Sequence, residues 1–123
     1  MGAFNFQKRF APAIKAGTKR STIRRRSKTG YLPKVKERLS LYTGMRTAKC
    51  KRIKRVVVVK VTPIIINTNT DGALDAAIFD GRQLRFIEVL GLAMGDGFET
   101  VEEFAEFFHR MYGTEFTGYL IEW

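Results

Sequence analysis

The sequence has little material for metal or disulfide chemistry. Among its 123 residues there is one cysteine, Cys50, and one histidine, His109. One cysteine excludes an intrachain disulfide, and the two residues together supply too few ligands for a conventional zinc site. We therefore expect no metal and no cofactor. We expect His109 to be an ordinary, partly exposed residue of a helix.

Long apolar runs are also missing. No stretch approaches the 18 apolar residues that a membrane-spanning helix needs, and the N-terminus has no apolar segment of the kind found in secretion signals. We expect a protein that does not associate with membranes and that lies in the reducing cytoplasm. The sequence leaves the oligomeric state open, with a monomer slightly favoured.

Acidic residues are almost absent from the first half of the chain. Residues 1–60 hold 19 Lys/Arg and one acid, Glu37, whereas residues 61–123 hold three Lys/Arg and 11 Asp/Glu. The halves carry +18 and −8, which give the net charge of +10. A strongly positive half is typical of proteins that bind phosphate backbones. We predict a nucleic-acid partner, RNA in preference to DNA.

The densest part of the basic half begins at residues 16–26, AGTKRSTIRRR. Gly17 is expected to end a helix over 7–16, because glycine adopts positive φ without a Cβ clash. Residues 19–24 alternate in polarity as a strand does, but Ile23 is the only apolar residue among them. A strand with so little to bury lies on a surface or lines a polar cleft. We interpret it as a cleft wall, with a solvated basic strand as the alternative.

The whole chain, 1–123, is predicted to form one α+β domain. We expect a mixed, mostly antiparallel sheet of about six strands, curled toward a barrel, with two or three helices. The predicted extended segments are 1–6, 19–24, 39–42, 50–61, 64–66, 73–79 and 116–123, and the stretch 25–38 is predicted to be a long basic loop. Pro63 is expected to interrupt the strand that precedes it, and Asp80-Gly81 is a hairpin signal.

Two helices are predicted in the last third. A helix over 83–94 would bury Leu84, Ile87, Leu90 and Met94. A second helix is predicted to begin at Thr100 with the capping box Thr100–Glu103, and to bury Phe104, Phe107, Phe108 and Met111. Its acidic face, with Glu102, Glu103 and Glu106, is either solvated or a partner surface.

The residues predicted to bind nucleic acid are the cations of the strand, loop and following hairpin, together with two tyrosines. They are Arg20, Arg24, Arg25, Arg26, Lys28, Tyr31, Tyr42, Arg46, Lys51 and Arg52. Tyr31 is a candidate for stacking on a base. The alternative is that Tyr31 and Leu32 hold the loop against the body of the protein.

Three segments resemble the ASCH domain family, whose fold is a PUA-like β-barrel. Residues 13–24 look like its signature of a helix, a glycine and then lysine, threonine and arginine on a strand. Residues 39–44 look like its second strand, and the stretch from Leu92 to Trp123 resembles its C-terminal "DGF", helix and closing strand. The resemblance spans nearly the whole chain. The chain is similar to compact ASCH proteins of bacteria and their phages. A phage-encoded protein of this type would act in the host cytoplasm.

The resemblance implies an RNA-related role for a cleft between the basic strand and the helices. Some compact members are amidohydrolases that act on N(4)-acetylcytidine through a lysine, a threonine and a glutamate, and another is a ribonuclease. Carried over, the lysine is Lys19 and the threonine is Thr22. The acid falls at Asp96, with Glu88 as the alternative. Aspartate is one methylene shorter than the family's acid, and the long basic loop favours a polymer over a free nucleoside.

Two functions therefore remain open. The first is a module that binds RNA, or another nucleic acid, through the basic cleft. The alternative is a metal-independent hydrolase of a modified nucleoside or of RNA. Lys19 and Thr22 are three residues apart and would face opposite sides of a regular strand, so a joint site requires a bulge or a turn. If they converge, neighbouring arginines would lower the pKa of Lys19 and make it a base for Thr22.

Overall fold

The computed structural model describes residues 2–123, and Met1, which begins the predicted N-terminal extended piece, lies outside them. The strands are β1 (Gly2–Phe6), β2 (Ser21–Arg24), β3 (Arg38–Thr43), β4 (Lys51–Val57), β5 (Lys60–Thr68), β6 (Leu74–Phe79), β7 (Arg82–Gln83) and β8 (Glu115–Glu122). The helices are α1 (Ala11–Ala16), α2 (Phe86–Gly95) and α3 (Val101–Tyr112), and a 3-10 turn, Lys8–Phe10, precedes α1.

The strands form two sheets, in the orders β1-β3-β4 and β2-β8-β5-β6-β7. Every pairing is antiparallel except that of β1 with β3, which is parallel. The predicted α+β class with a mixed, mostly antiparallel arrangement is confirmed. The described residues contain eight strands where about six were expected, and their two sheets are not joined into a closed barrel.

The chain passes from one sheet to the other at Val58 and Val59. Val58 N–H donates to Glu37 O at 2.9 Å and Val59 N–H donates to Glu122 O at 2.8 Å. The predicted single strand over 50–61 is therefore wrong, and so is the predicted break at Pro63, which lies inside β5. Proline is tolerated there because β6 pairs with β5 only from Ile64 onward. Pro63 precedes this pairing, so the N–H that proline lacks is not needed for a bond to β6.

Strand β8 lies between two hydrophobic clusters. Ile121 and Trp123 pack into one of them, beside β1 and β3, with Tyr119 partly buried against it. Phe116 and Leu120 pack into the other cluster, against the helices. This confirms that Tyr119, Ile121 and Trp123 share one face, and it follows from the alternation of side chains along a strand.

Helix α2 differs from its prediction in start and in orientation. It begins at Phe86, and it buries Val89 and Ala93. Ile87 and Met94, which were predicted to face the core, are 65% and 61% exposed. The helix is apolar on all sides, so periodicity did not indicate which face would be buried.

Helix α3 begins after Thr100 as predicted, because the Thr100 hydroxyl accepts the Glu103 N–H at 3.1 Å, which is the Thr100 half of the predicted capping box. Phe104 and Phe108 are buried, but Met111 is 56% exposed, so that part of the predicted stripe is wrong. In the part of the chain that the structure describes, every helix is too short or too polar to cross a membrane.

Candidate functional site

Lys19 lies in the turn between α1 and β2, since β2 begins only at Ser21. Gly17 ends α1 in the left-handed conformation with φ 82°, as predicted. The next two backbone N–H groups, of Thr18 and Lys19, both donate to Ala13 O, at 3.0 and 3.1 Å. The predicted strand start at residue 19 is wrong. Because Lys19 precedes the strand, the objection that it must face away from Thr22 no longer applies.

Lys19 and Thr22 line one cleft of about 190 Å³ together with Asp96. Residues of β1, the 3-10 turn, β2 and the loop after α2 form part of the lining, and residues of α3 close it. The lining also includes Asn5, Phe6, Gln7, Arg9, Phe10, Ile23, Arg24, Phe98, Phe107, Phe108 and Tyr112. The structure thus brings together the three residues that the resemblance assigned to one site.

The buried ion pair of Lys19 and Asp96 lies in this cleft. Lys19 Nζ is 3.5 Å from Asp96 Oδ1, and the side chains are only 5% and 12% exposed. The same ammonium donates to Ser21 O at 2.9 Å and lies 5.1 Å from the centre of the Phe10 ring. Burial lowers the pKa of Lys19, and the attraction of Asp96 opposes that shift only in part.

Burial also raises the pKa of Asp96, to about 6, although the charge of Lys19 and a backbone hydrogen bond from Ile23 act in the opposite direction. Asp96 follows α2 as its C-cap residue. Gly97 then takes φ 95°, and its Cα lies so close to the Phe10 ring that a Cβ would overlap it. The Gly-Asp-Gly turn is therefore what places the carboxylate in the cleft.

The hydroxyl of Thr22 is bonded to Arg24 rather than to Lys19. Thr22 is 4% exposed, and its Oγ1 accepts from Arg24 Nε at 3.2 Å. Since the oxygen acts as the acceptor in this bond, its proton is free to be donated toward a ligand. The cationic donor also favours any negative charge that develops on this oxygen.

Arg24 was predicted to contact phosphate, and its half-buried side chain lines the cleft, where contacts with β1 hold it. Its guanidinium lies 4.7 and 4.8 Å from the ring centres of Phe4 and Phe6 and donates to Asn5 O at 2.5 Å. Arg24 thus fastens β1 to Thr22. This role of residues 4–6 was not predicted, although Phe4 and Phe6 alternate around a polar residue in the sequence.

Aromatic side chains form the apolar wall of the cleft. Phe98 and Phe107 pack together with ring centres 5.4 Å apart, and Phe108 and Tyr112 stack at 5.8 Å. Phe107 and Phe108 were predicted to lie in the core and not in the site. Their 3.6-residue period was consistent with either role, because a cleft wall and a core face have the same spacing.

Two arginines lie over aromatic residues of the cleft. The Arg9 guanidinium is 4.4 Å from the centre of the Phe10 ring, and the Arg25 guanidinium is 4.8 Å from that of Tyr112. Both arginines are exposed. Arg9 was not predicted as a binding residue, whereas Arg25 was, and together they place positive charge on two sides of the cleft.

The other predicted cations of the basic strand and loop make contacts outside the cleft or are exposed on the loop. Arg26 donates to Gly30 O at 3.0 Å and to the Tyr119 hydroxyl at 3.3 Å, and Arg20 donates to Trp123 O at 3.2 Å. Lys28 is exposed on the loop. Arg20, Arg26 and Lys28 do not line the cleft.

Glu88 does not belong to the cleft, so it is wrong as an alternative for the acid of this site. It lies in the first turn of α2, where it bonds Arg82 Nη2 at 3.0 Å and the Arg85 N–H at 2.9 Å. The hydrogen bond from Arg82 is the main reason that its pKa is lowered to about 2. Glu88 is therefore committed to holding its own helix start.

Tyr31 and the residues of the β3–β4 hairpin also lie outside the cleft lining. The Tyr31 hydroxyl donates to Glu37 Oε2, and burial and this bond raise the pKa of Tyr31. With Leu32 packed on the core, Tyr31 holds the loop to the body, as in the alternative interpretation.

Tyr42, Arg46, Lys51 and Arg52 belong to β3, the hairpin turn and β4. That turn is tied to the cleft because the Met45 N–H donates to Asn5 Oδ1 at 3.0 Å.

Residues 2–123 contain no group of three or more His, Cys, Asp or Glu side chains that could hold a metal ion. No protein-family model, curated protein or solved structure matches this chain.

The Lys19–Asp96 pair makes a direct prediction for the titration of Asp96. Carboxyl-carbon NMR should give Asp96 an apparent pKa of about 6, against an ordinary value near 3.9. In the Lys19→Met variant the pKa of Asp96 should rise further, because the lysine charge lowers it. The Glu88 signal, with a pKa of about 2, serves as the internal control in both spectra.

The same shift fixes the sign of a stability effect. Because folding raises the pKa of Asp96, its contribution to the free energy of unfolding is fully present below pH ~4 and is lost as the pH rises through about 6. If Asp96 instead titrates near pH 4 in the folded protein, the conclusion that burial raises its pKa is wrong.

Proposed function

We propose that this protein is an ASCH-type, RNA-binding protein that takes an unpaired base into the cleft. The observation that carries the proposal is the buried Lys19–Asp96 pair, 3.5 Å apart in a cleft with aromatic walls. Such a pair costs desolvation energy and is weak evidence for stability. Its position in a cleft, with both pKa values shifted by burial, is typical of a functional site.

A nucleobase matches the chemistry of this cleft. Its flat face can stack on the ring of Phe98 or Phe107, and stacking is favourable for every base. Its edge carries donors and acceptors that can meet the ammonium, the carboxylate and the Thr22 hydroxyl. The base must leave its helical stack to enter, which favours a single strand over a duplex.

The phosphates on each side of such a base would meet the exposed arginines. The guanidinium groups of Arg9 and Arg25 lie over aromatic rings of the cleft. Arg26 and Lys28 follow Arg25 along the exposed loop. The charge of +18 on residues 1–60 extends the positive surface beyond the cleft. In this arrangement buried side chains of the cleft contact the base, and exposed cations contact the phosphates.

Binding of a single-stranded RNA, followed by fluorescence anisotropy over a range of salt concentrations, tests the proposal. We expect log K to fall linearly with log salt, with a slope of about −0.7 per neutralised phosphate. The double variant Arg25→Gln/Arg26→Gln should make that slope shallower. Lys19→Met should weaken binding by about tenfold at unchanged slope, because it removes a contact to the base and none to phosphate.

Arg82→Gln is the matched control, because Arg82 is an exposed arginine that pairs with Glu88 away from the cleft. It should change neither affinity nor slope. The proposal is wrong if binding does not depend on salt, or if Arg82→Gln weakens binding as much as the cleft variants do.

A second candidate function, hydrolysis of an acylated amino group on a nucleoside, is favoured by one specific observation. Lys19, Thr22 and Asp96 line the same cleft, and burial lowers the pKa of Lys19 toward a value at which it can act as a base. The Thr22 oxygen would attack the acyl carbon as its proton passes to Lys19. The C–N bond then breaks, and Lys19 returns the proton to the amine. Water hydrolyses the resulting ester to release the acid.

Incubation of the protein with N(4)-acetylcytidine, and separately with single-stranded RNA, tests this second function. We expect deacetylation to cytidine and acetate, with Lys19→Met and Thr22→Val each lowering the rate by at least about a hundredfold. Glu88→Gln should retain full activity because Glu88 lies outside the cleft. If wild-type protein leaves both compounds unchanged, the hydrolase function is excluded, and the proposal of RNA binding is unaffected.

A further inference from the structure

The two ends of β5 carry exposed surfaces of opposite charge. The strand has nine residues, Lys60–Thr68, and so spans about 26 Å. Lysines and exposed valines surround its beginning, whereas a groove with an acidic rim lies just beyond its end. The cleft described above is lined by neither set of residues.

At the beginning of β5, the loop formed by residues 34–36 presents Val35 between two lysines. Val35 is 54% exposed and Val59 is 60% exposed. The Lys36 N–H donates to Val58 O at 2.8 Å, so the loop runs beside the segment that contains Val59. Lys36 has φ 75°, a conformation that costs energy in a residue with a side chain. The fold therefore presents an apolar residue to solvent among cations.

Beyond the other end of β5, a groove of about 710 Å³ lies between the β5–β6 turn, the start of α2 and α3. Leu74, Phe86 and Val101 are its large apolar residues, and Phe86 is 64% exposed. Its charged residues are Asp71, Glu102, Glu106 and Arg110, which together carry −2. Arg110 Nη1 lies 3.9 Å from Glu106 Oε1. Among residues 2–123, neither Asp71 nor Glu102 takes part in a salt bridge.

We propose that copies of this chain associate head to tail, with the 34–36 loop of one copy docked in the acidic groove of the next. Val35 would pack on Phe86, and the two flanking lysines would face Glu102 and Glu106. The contact of Glu106 with Arg110, at 3.9 Å, is exposed to solvent, so a lysine of the neighbouring copy can replace it. The two surfaces cannot meet within one copy, because the length of β5 separates them. They form a heterologous interface, in which each copy offers a different patch to each neighbour. The net charge of −2 in the groove disfavours phosphate there.

The net charge of +10 does not prevent this contact. At physiological salt the screening length is about 8 Å, so the charges at the contact decide the interaction and distant like charges contribute little. Both halves of the interface are present on the same chain, which favours a second copy over an unrelated basic protein. The proposal does not depend on RNA binding.

Charge reversal of each surface, measured by sedimentation equilibrium without RNA, tests the proposal. One variant is Glu102→Lys/Glu106→Lys and the other is Lys34→Glu/Lys36→Glu, and all four side chains are exposed. Wild type should associate reversibly, and more weakly at high salt. Each variant alone should associate about a hundredfold more weakly, because like charges then face each other. An equimolar mixture of the variants should recover the wild-type association, because every loop again meets a groove of opposite charge.

Recovery in the mixture also shows that both variants are folded. Wild type that stays monomeric at millimolar concentration overturns the proposal, including the case in which it binds a separate lysine-rich peptide in the groove. Association that is insensitive to both variants, as expected of a symmetric contact through Ile87 and Met94, overturns it too. So does a mixture of the two variants that remains monomeric while wild type associates.

Discussion

The site depends on the burial of a lysine and an aspartate that meet in one cleft. Each charge loses hydration there, and their attraction at 3.5 Å returns only part of that cost. The pair is held by two turns. One follows Gly17, which ends α1, and the other is formed around Gly97, whose close contact with Phe10 leaves no space for a side chain. The backbone is therefore shaped around the pair, and breaking it by removing one partner would leave an isolated buried charge.

Arg24 extends this constraint to the edge of the fold. Its guanidinium lies between Phe4 and Phe6 and joins β1, which belongs to the smaller sheet, to the Thr22 hydroxyl on the larger sheet. A residue that looks like one more cation in a basic run is thus a structural clamp. Arg25, the next residue, is exposed, whereas Lys19 and Arg24 are held in the lining of the cleft and fix its geometry.

Local chemistry was enough to predict some elements and not others. The Gly17 stop, the Thr100 cap and the alternation of β8 each follow from a few adjacent residues, and all three are confirmed. The change of sheet at Val58–Val59 was hidden, because an unbroken run of valines has the same strand preference throughout. Lys19 and Asp96 are 77 residues apart, and only the family resemblance, not any local pattern, suggested that they meet.

The central claim is that the cleft around Lys19 and Asp96 receives a base, and amide NMR shifts during titration with a short single-stranded RNA test it most directly. The largest early shifts should occur at residues 19–24 and 96–98, which surround the ion pair. Shifts along the exposed loop at 25–30 should accompany them as phosphates bind. Shifts confined to β4 and the β3–β4 turn, with the cleft amides unchanged at saturation, would contradict the claim.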